Sequence, residues 1–266
     1  MTGARGREGA LLRVEVAGCV ATLTLDNPQK RNALSAALLE RLVGALGEIE
    51  AKGARVAILR ASPGAKVWSA GHDIDELRAG VDMLDEDDPL PRALRALRAS
   101  PLVVIAQVQG SVWGAGLELA LASDLIVADE TASVAMTPAN LGLPYHAQGL
   151  AQFLARLPVN RVKELFFTAQ PIDAATALGW GLVNRLVPAG EIDAHVGALA
   201  RLVAAKAPLA LALVKESLRV LVESRPLAPQ DAARLAQMRR RALEGADFAE
   251  GLAAFREKRS PRFRGG

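Results

Sequence analysis

Val103-Val104-Ile105-Ala106-Gln107-Val108-Gln109-Gly110-Ser111-Val112-Trp113-Gly114-Ala115-Gly116-Leu117-Glu118 decides the fold. The β-branched run Val103, Val104, Ile105 enters as a strand, glycines break it, and the helix-prone run Leu117 to Ala122 leaves it. A strand, a tight turn and a helix start follow one another. The first N–H groups of such a helix have no intrahelical partner, and the helix dipole adds partial positive charge, so an anionic oxygen is stabilised there. The small residues Gly114, Ala115 and Gly116 let a ligand approach the main chain closely.

Working outward, Leu11 to Val16 and Val20 to Leu25 read as a hairpin across Ala17-Gly18. Ser35 is an N-cap for a helix through Glu50 with Leu38, Leu39, Leu42 and Leu46 on one face. Val56 to Leu59 is a buried strand. The acidic, proline-bearing segment Met83 to Pro91 reads as a mobile surface loop, a candidate lid, ahead of a helix over Arg92 to Ala99. Leu125 to Ala128 and Ser133 to Ala135 are strands, and Thr137 to His146 is a loop. Helices then dominate: Val162 to Phe167, Asp173 to Leu178, Ile192 to Ala205, Leu209 to Val222, Ala228 to Leu243 and Phe248 to Lys258. Strands and helices interleave early and helices alone come late. The class is α/β, with a core over residues 1–200 and a helical segment over 201–266.

Composition narrows the function. With 266 residues, 51% of them hydrophobic, the chain can bury a sizeable core. The longest apolar region, Val103 to Ala128, carries Gln107, Gln109, Glu118 and Asp124 and is cut by glycines, which argues against a transmembrane helix. Met1 to Ala10 lacks the apolar region of a secretory signal, so a cytoplasmic location is expected. Cys19 is the single cysteine, and His72, His146 and His195 stand far apart, so neither a disulfide framework nor a metal site is expected. A formal charge of +3 fits a small polyanionic ligand and falls short of a nucleic-acid stripe.

Trp68-Ser69-Ala70-Gly71-His72-Asp73-Ile74, followed at its spacing by Gly110 to Glu118, resembles the crotonase (enoyl-CoA hydratase/isomerase) superfamily. Asn27 to Leu34, Ser123-Asp124, Ala174 to Val183 and Phe255 to Arg259 are similar to it in the same order. The resemblance implies a ClpP/crotonase-like fold of repeated ββα units with a C-terminal helical trimerisation segment. It also implies a homotrimer or dimer of trimers, and a coenzyme A thioester as substrate with no cofactor, membrane or nucleic acid involved. The main-chain N–H groups of His72 and Ala115 would form an oxyanion hole. Ala33, Ala70, Gly71, Asp73 and Ile74 would line the coenzyme A path, with Lys30, Arg31 and Lys258 as candidates for its phosphates. The family usually has glycine where Ala115 stands, so a positive φ there would be strained.

Within the superfamily, Lys66 to Ile74, Gly110 to Gly114 and especially Met136-Thr137-Pro138-Ala139-Asn140-Leu141-Gly142-Leu143-Pro144-Tyr145 resemble the methylmalonyl-CoA decarboxylase branch. Hydratases of the superfamily use two glutamates to hold and deprotonate water. Glu118 matches the first. The second has no counterpart, because Thr131 to Lys163 contains no Asp or Glu. Decarboxylation of a malonyl-type thioester needs no base, only enolate stabilisation, an oriented carboxylate and a proton. Thr137 and Tyr145 offer the hydroxyls to orient it.

Each of these residues also has a plain structural reading. His72 alone reads as a packed or loop histidine, Tyr145 as a loop ring, Lys30 and Arg31 as solvated charges. Glu118 would ordinarily be a solvated helix residue, yet its helical neighbours Gly114, Ala115, Leu121 and Ala122 are small or apolar. A hydratase or isomerase working with Glu118 alone, and a non-catalytic protein binding coenzyme A or RNA, are the alternatives.

Overall fold

The computed structural model describes residues 11–82, 87–224 and 227–265. Strands β1 (Leu12–Ala17) and β2 (Val20–Leu25) form the expected antiparallel hairpin, and Ser35 caps helix α1 (Ala36–Ala51) by accepting the Leu38 N–H at 3.3 Å. After it come β3 (Val56–Ala61), β4 (Val67–Ser69), α2 (Pro89–Ala99), β5 (Val103–Val108), β6 (Ser111–Trp113), α3 (Ala115–Leu121), β7 (Leu125–Asp129) and β8 (Ser133–Ala135). The second half holds α4 (Ala147–Leu154), α5 (Val159–Thr168), β9 (Ile172–Asp173), α6 (Ala174–Gly179), β10 (Arg185–Val187), α7 (Ile192–Ala204), α8 (Pro208–Glu223), α9 (Pro229–Glu244) and α10 (Ala246–Arg256).

Two sheets result, in the orders β1-β2-β3-β5-β7-β10 and β4-β6-β8-β9. The repeat unit is visible in this order. Each of β3, β5 and β7 lies in the large sheet and is followed by β4, β6 or β8 in the small one, where these three run parallel. Their C-terminal ends therefore lie at one end of the small sheet, and that end delivers His72, Ala115 and Thr137 to neighbouring positions.

Strand alternation splits the apolar residues between two faces. Ala57, Leu59, Val104 and Ala106 join the main core with α1 and α2, while Val56, Ile58, Ile105 and Val127 pack on α7 through Ile192, Val196 and Leu199. A third cluster joins Leu77 to Leu243, Phe248 and Leu252 of the last two helices, with Ile74, Leu141 and Leu143 against it. Helix α8 has no buried residue. Its Lys215 ammonium ties it down, donating to Leu97 O (3.0 Å), Leu102 O (2.8 Å) and the Asp124 carboxylate (2.8 Å).

Several elements depart from the sequence reading. Residues 83–86 of the anticipated lid lie outside the described residues, and helix α2 already begins at Pro89. Prolines in a first helical turn sacrifice no hydrogen bond, so Pro89 and Pro91 fit inside the helix. Lys258 lies just past α10 with φ 56°, not within the helix. Helix α4 occupies sequence directly after the anticipated loop, with His146 as its N-cap.

The segment after β4 is clamped to the chain before α1. Asn32 is buried at φ 53°, a conformation asparagine tolerates better than most residues. Its side chain donates to Trp68 O (3.1 Å) and accepts the Asn27 N–H (2.9 Å), while Ser69 Oγ donates to Asn32 O (2.8 Å). Trp68 itself is fully buried and donates its indole N–H to Gln107 O at 2.8 Å. Asn32→Ala should therefore destabilise the protein by about 2–4 kcal/mol, through unpaired buried groups and an unfavourable φ. Urea unfolding would register this as a lowered midpoint, and Asn32→Gly, free of the φ penalty, should lose less.

Candidate active site

Two main-chain donors that face each other's neighbourhood can be located from hydrogen bonds alone. Leu34 and His72 form an isolated parallel bridge: the Leu34 N–H donates to Gly71 O (2.7 Å) and the Asp73 N–H donates to Leu34 O (3.2 Å). Such a bridge uses the groups on either side of His72 and turns the His72 N–H the other way. At the second position Gly114 is the N-cap of α3 with φ 50°, and Ala115 is the first helical residue, so its N–H has no intrahelical acceptor. Neither N–H donates to another main-chain group among the described residues. The left-handed φ falls on Gly114 rather than Ala115, so alanine sits at position 115 without strain.

Gly71 brings the two donors together. Its φ is 86°, and a Cβ there would lie 2.6 Å from Trp113 O and 3.4 Å from Ala115 N. Only glycine allows this approach. A Cβ on Gly114 would fall 3.8 Å from Thr137 Oγ1, which places that hydroxyl beside the Ala115 donor.

His72, Ala115, Glu118, Thr137 and Tyr145 all line one open cavity of about 720 Å³, together with Ala70, Gly71 and Ile74. Leu77, Leu90, Met136, Leu141 and Phe248 supply apolar wall, and Arg239 of α9 adds a guanidinium paired with Asp82. Among the described residues lining the cavity, Glu118 is the only carboxylate.

Burial sets the ionisation of this site. Desolvation lowers the His72 pKa below its ordinary value, against the pull of Glu76, Asp73, Asp88 and Glu118, and neither ring nitrogen has a partner. The imidazole is neutral at neutral pH. Burial, and then the nearby Glu118 carboxylate, push the Tyr145 phenol well above its usual value. Its ring packs edge-on against Phe166 at 4.8 Å between centroids, while its hydroxyl is buried without a hydrogen-bond partner of good geometry. Tyr145 thus lines the cavity as a packed ring and keeps its hydroxyl buried.

Lys30, Arg31, Ala33, Asp73 and Lys258 do not line the cavity. The Lys30 ammonium meets Asp73 and Asp75, each at 2.9 Å, which raises its pKa and leaves its charge already countered. Asp73 is buried by that pairing and also accepts the Asp75 N–H at 3.1 Å. Arg31 and Lys258 are exposed.

Sequence reading missed Arg239, Phe248 and His146. The first two arrive from distant helices with no local signal. His146 stands directly before a short amphipathic helix, the one clue to its capping role. Among the described residues no cluster of His, Cys, Asp or Glu is arranged to hold a metal.

Residues 15–266 match the enoyl-CoA hydratase/isomerase family, and the chain belongs to that family. It is 42% identical over 247 residues to methylmalonyl-CoA decarboxylase of Escherichia coli, covering 92% of this chain and 95% of that protein. It is 34% identical over 268 residues to carnitinyl-CoA dehydratase of Proteus mirabilis, covering 96% and 98%. The structure superposes on methylmalonyl-CoA decarboxylase complexed with 2S-carboxypropyl-CoA with a TM-score of 0.95, at 40% identity, covering 97% of this chain and 100% of the other. An enoyl-CoA hydratase from Mycobacterium avium subsp. paratuberculosis gives 0.80 at 26% identity, covering 96% and 99%.

If the two main-chain groups polarise the substrate, His72→Ala keeps its N–H and should keep much of the activity, whereas Ala115→Pro loses the donor and should abolish it. Steady-state assays on variants shown to be folded by circular dichroism make the comparison. Equal loss in both would put the imidazole at the chemistry instead.

Proposed function

We propose that this protein decarboxylates a malonyl-type thioester, methylmalonyl-CoA or malonyl-CoA, to propionyl-CoA or acetyl-CoA. The observation that carries the reading is that, among the described residues, the cavity has a single carboxylate beside two free main-chain donors. Two carboxylates are needed to hold and activate water in the hydratases of the family; here Pro138 lines the cavity and, among the described residues, no second acid does. The similarity to methylmalonyl-CoA decarboxylase supports the same reaction.

In this reading the thioester oxygen lies between the N–H groups of His72 and Ala115. Thr137 and Tyr145 turn the substrate carboxylate out of the thioester plane, where its C–C bond overlaps the carbonyl π system. That bond breaks, CO2 departs, and the electron pair passes through Cα to the thioester oxygen, where preorganised donors are worth most. Cα then takes a proton. The apolar wall, Ile74, Leu77, Leu90 and Phe248, weakens hydration of the departing carboxylate. Ala70, Gly71 and Ile74 guide the pantetheine arm, and the exposed Arg31 and Lys258 are the cations available to the phosphates.

Helix α8 points to assembly. Leu209 is 85% exposed and Leu213 67%, with Leu218 and Leu221 also exposed, apolar side chains that a single chain leaves in water. A homotrimer or dimer of trimers would cover them. Light scattering at micromolar concentration should return a trimer or hexamer mass; a monomer would end this part of the proposal.

The reaction itself is tested by CO2 release from both malonyl thioesters against hydration of crotonyl-CoA, without added metal or biotin. Release should be far faster, because the missing acid slows hydration by ~10²-fold or more. Tyr145→Phe should cut CO2 release by about 10-fold or more while leaving propionyl-CoA binding nearly intact, since that ligand has no carboxylate to orient. Rapid crotonyl-CoA hydration with no CO2 from either thioester would refute the assignment.

A further inference from the structure

Behind Glu118 stands a residue the reaction above does not use. His146 Nε2 lies 3.2 Å from Glu118 Oε1, with both side chains nearly out of solvent, at 12% and 4% exposure. The opposite ring nitrogen, Nδ1, accepts the Gly149 N–H at 3.2 Å and so caps helix α4. A nitrogen that accepts carries no proton, so the ring proton is on Nε2 and is donated to Glu118. The cap thereby makes His146 a neutral donor and Glu118 Oε1 an acceptor.

The fit is close on every side. A Cβ at Gly149 would lie 2.6 Å from Glu118 Oε1, 2.6 Å from His146 Nε2 and 2.7 Å from Tyr145 Cε1, so any larger residue would force the three apart. A second, smaller cavity of about 280 Å³ lies behind the pair, lined by Arg95 and Arg98 of α2 and by Gln148 and Gln152 of α4. Glu118 lines both cavities. The charged and titratable groups around His146 are therefore Glu118 from α3, Tyr145 beside it in the chain, and Arg95 and Arg98 from α2.

On α3, Glu118 is three residues beyond Ala115, on the same face and within a turn of the oxyanion donor. A thioester held by that donor has its Cα next to the carboxylate. We infer that His146 is a positioning residue, holding Glu118 as an oriented carboxylate that exchanges protons with Cα, and that the enzyme consequently enolises saturated acyl-CoA thioesters such as propionyl-CoA. The Cα–H bond breaks, the proton passes to a Glu118 oxygen, and the electron pair moves to the thioester oxygen between His72 and Ala115. The reverse step, with a proton that has exchanged with water, returns the thioester. In the decarboxylation direction Glu118 takes a proton from water and passes it to Cα of the enolate, returning to the carboxylate, so this inference rests on the proposed reaction for its physiological use but not for its test.

The test follows deuterium entering the α-carbon of propionyl-CoA in D2O by NMR, with CO2 release from methylmalonyl-CoA measured separately. Wild type should incorporate deuterium, and Glu118→Gln should stop it. Two substitutions separate the roles of His146. Asparagine caps a helix but is too short to reach Glu118, so His146→Asn should lower the turnover of exchange roughly 10- to 100-fold with KM little changed. Glutamine can donate an amide N–H at nearly the reach of the ring, so His146→Gln should recover most of the exchange. Exchange undiminished in His146→Asn, lost equally in His146→Gln, or absent from wild type would overturn the inference. Failure of the proposed reaction would look different, as wild-type exchange without CO2 release.

Discussion

Two peptide N–H groups without partners among the described residues are the constraint on which the rest of the structure depends. An unpaired main-chain donor at a partly buried position costs free energy, so a fold keeps two of them side by side only if their neighbours are held firmly. Here the bridge from Leu34 turns the His72 N–H outward, and the start of α3 leaves the Ala115 N–H free. Gly71 permits the close approach, and the Asn32 and Ser69 hydrogen bonds fix the segment that carries it. The parallel small sheet does the larger work, because ending three strands at one end of it brings residues 72, 115 and 137 together from separate repeats.

Around those donors the cavity is mostly apolar with few charges. Among the described residues a neutral His72, a high-pKa Tyr145 phenol and one carboxylate leave little that could activate water, while main-chain dipoles in a poorly solvated site act strongly on a developing enolate. Discrimination between reactions therefore comes from what is missing on the wall at Pro138 as much as from what is present. The last helices contribute through packing: Phe248 and Leu243 join Leu77 in a small cluster of their own, and Leu77 and Phe248 form part of the cavity wall.

Much of this was legible from residue patterns. The hairpin, the capped helix α1, the buried strands and the late helices follow from periodicity and capping, and the family motifs point to the segment where Gly71 serves a definite steric purpose. Some short elements were not legible. Strand β6 has three residues and β9 two, too few to display alternation, and α4 carries a glycine and two glutamines within eight residues. The prolines of α2 imitate a loop. The Glu118–His146 contact was hidden for another reason: it joins residues 28 apart through a helix whose existence local sequence did not announce. Likewise the Lys30 charge reads as free for phosphate in sequence, whereas the fold sets two carboxylates against it.

The central claim is that two main-chain donors polarise a thioester carbonyl. Difference infrared spectroscopy of propionyl-CoA labelled with carbon-13 at the thioester carbon reads that polarisation directly. The account predicts that the labelled C=O stretch moves to lower frequency on binding, as two hydrogen bonds draw electron density onto the oxygen. A bound thioester whose stretch stays at its frequency in water would contradict it.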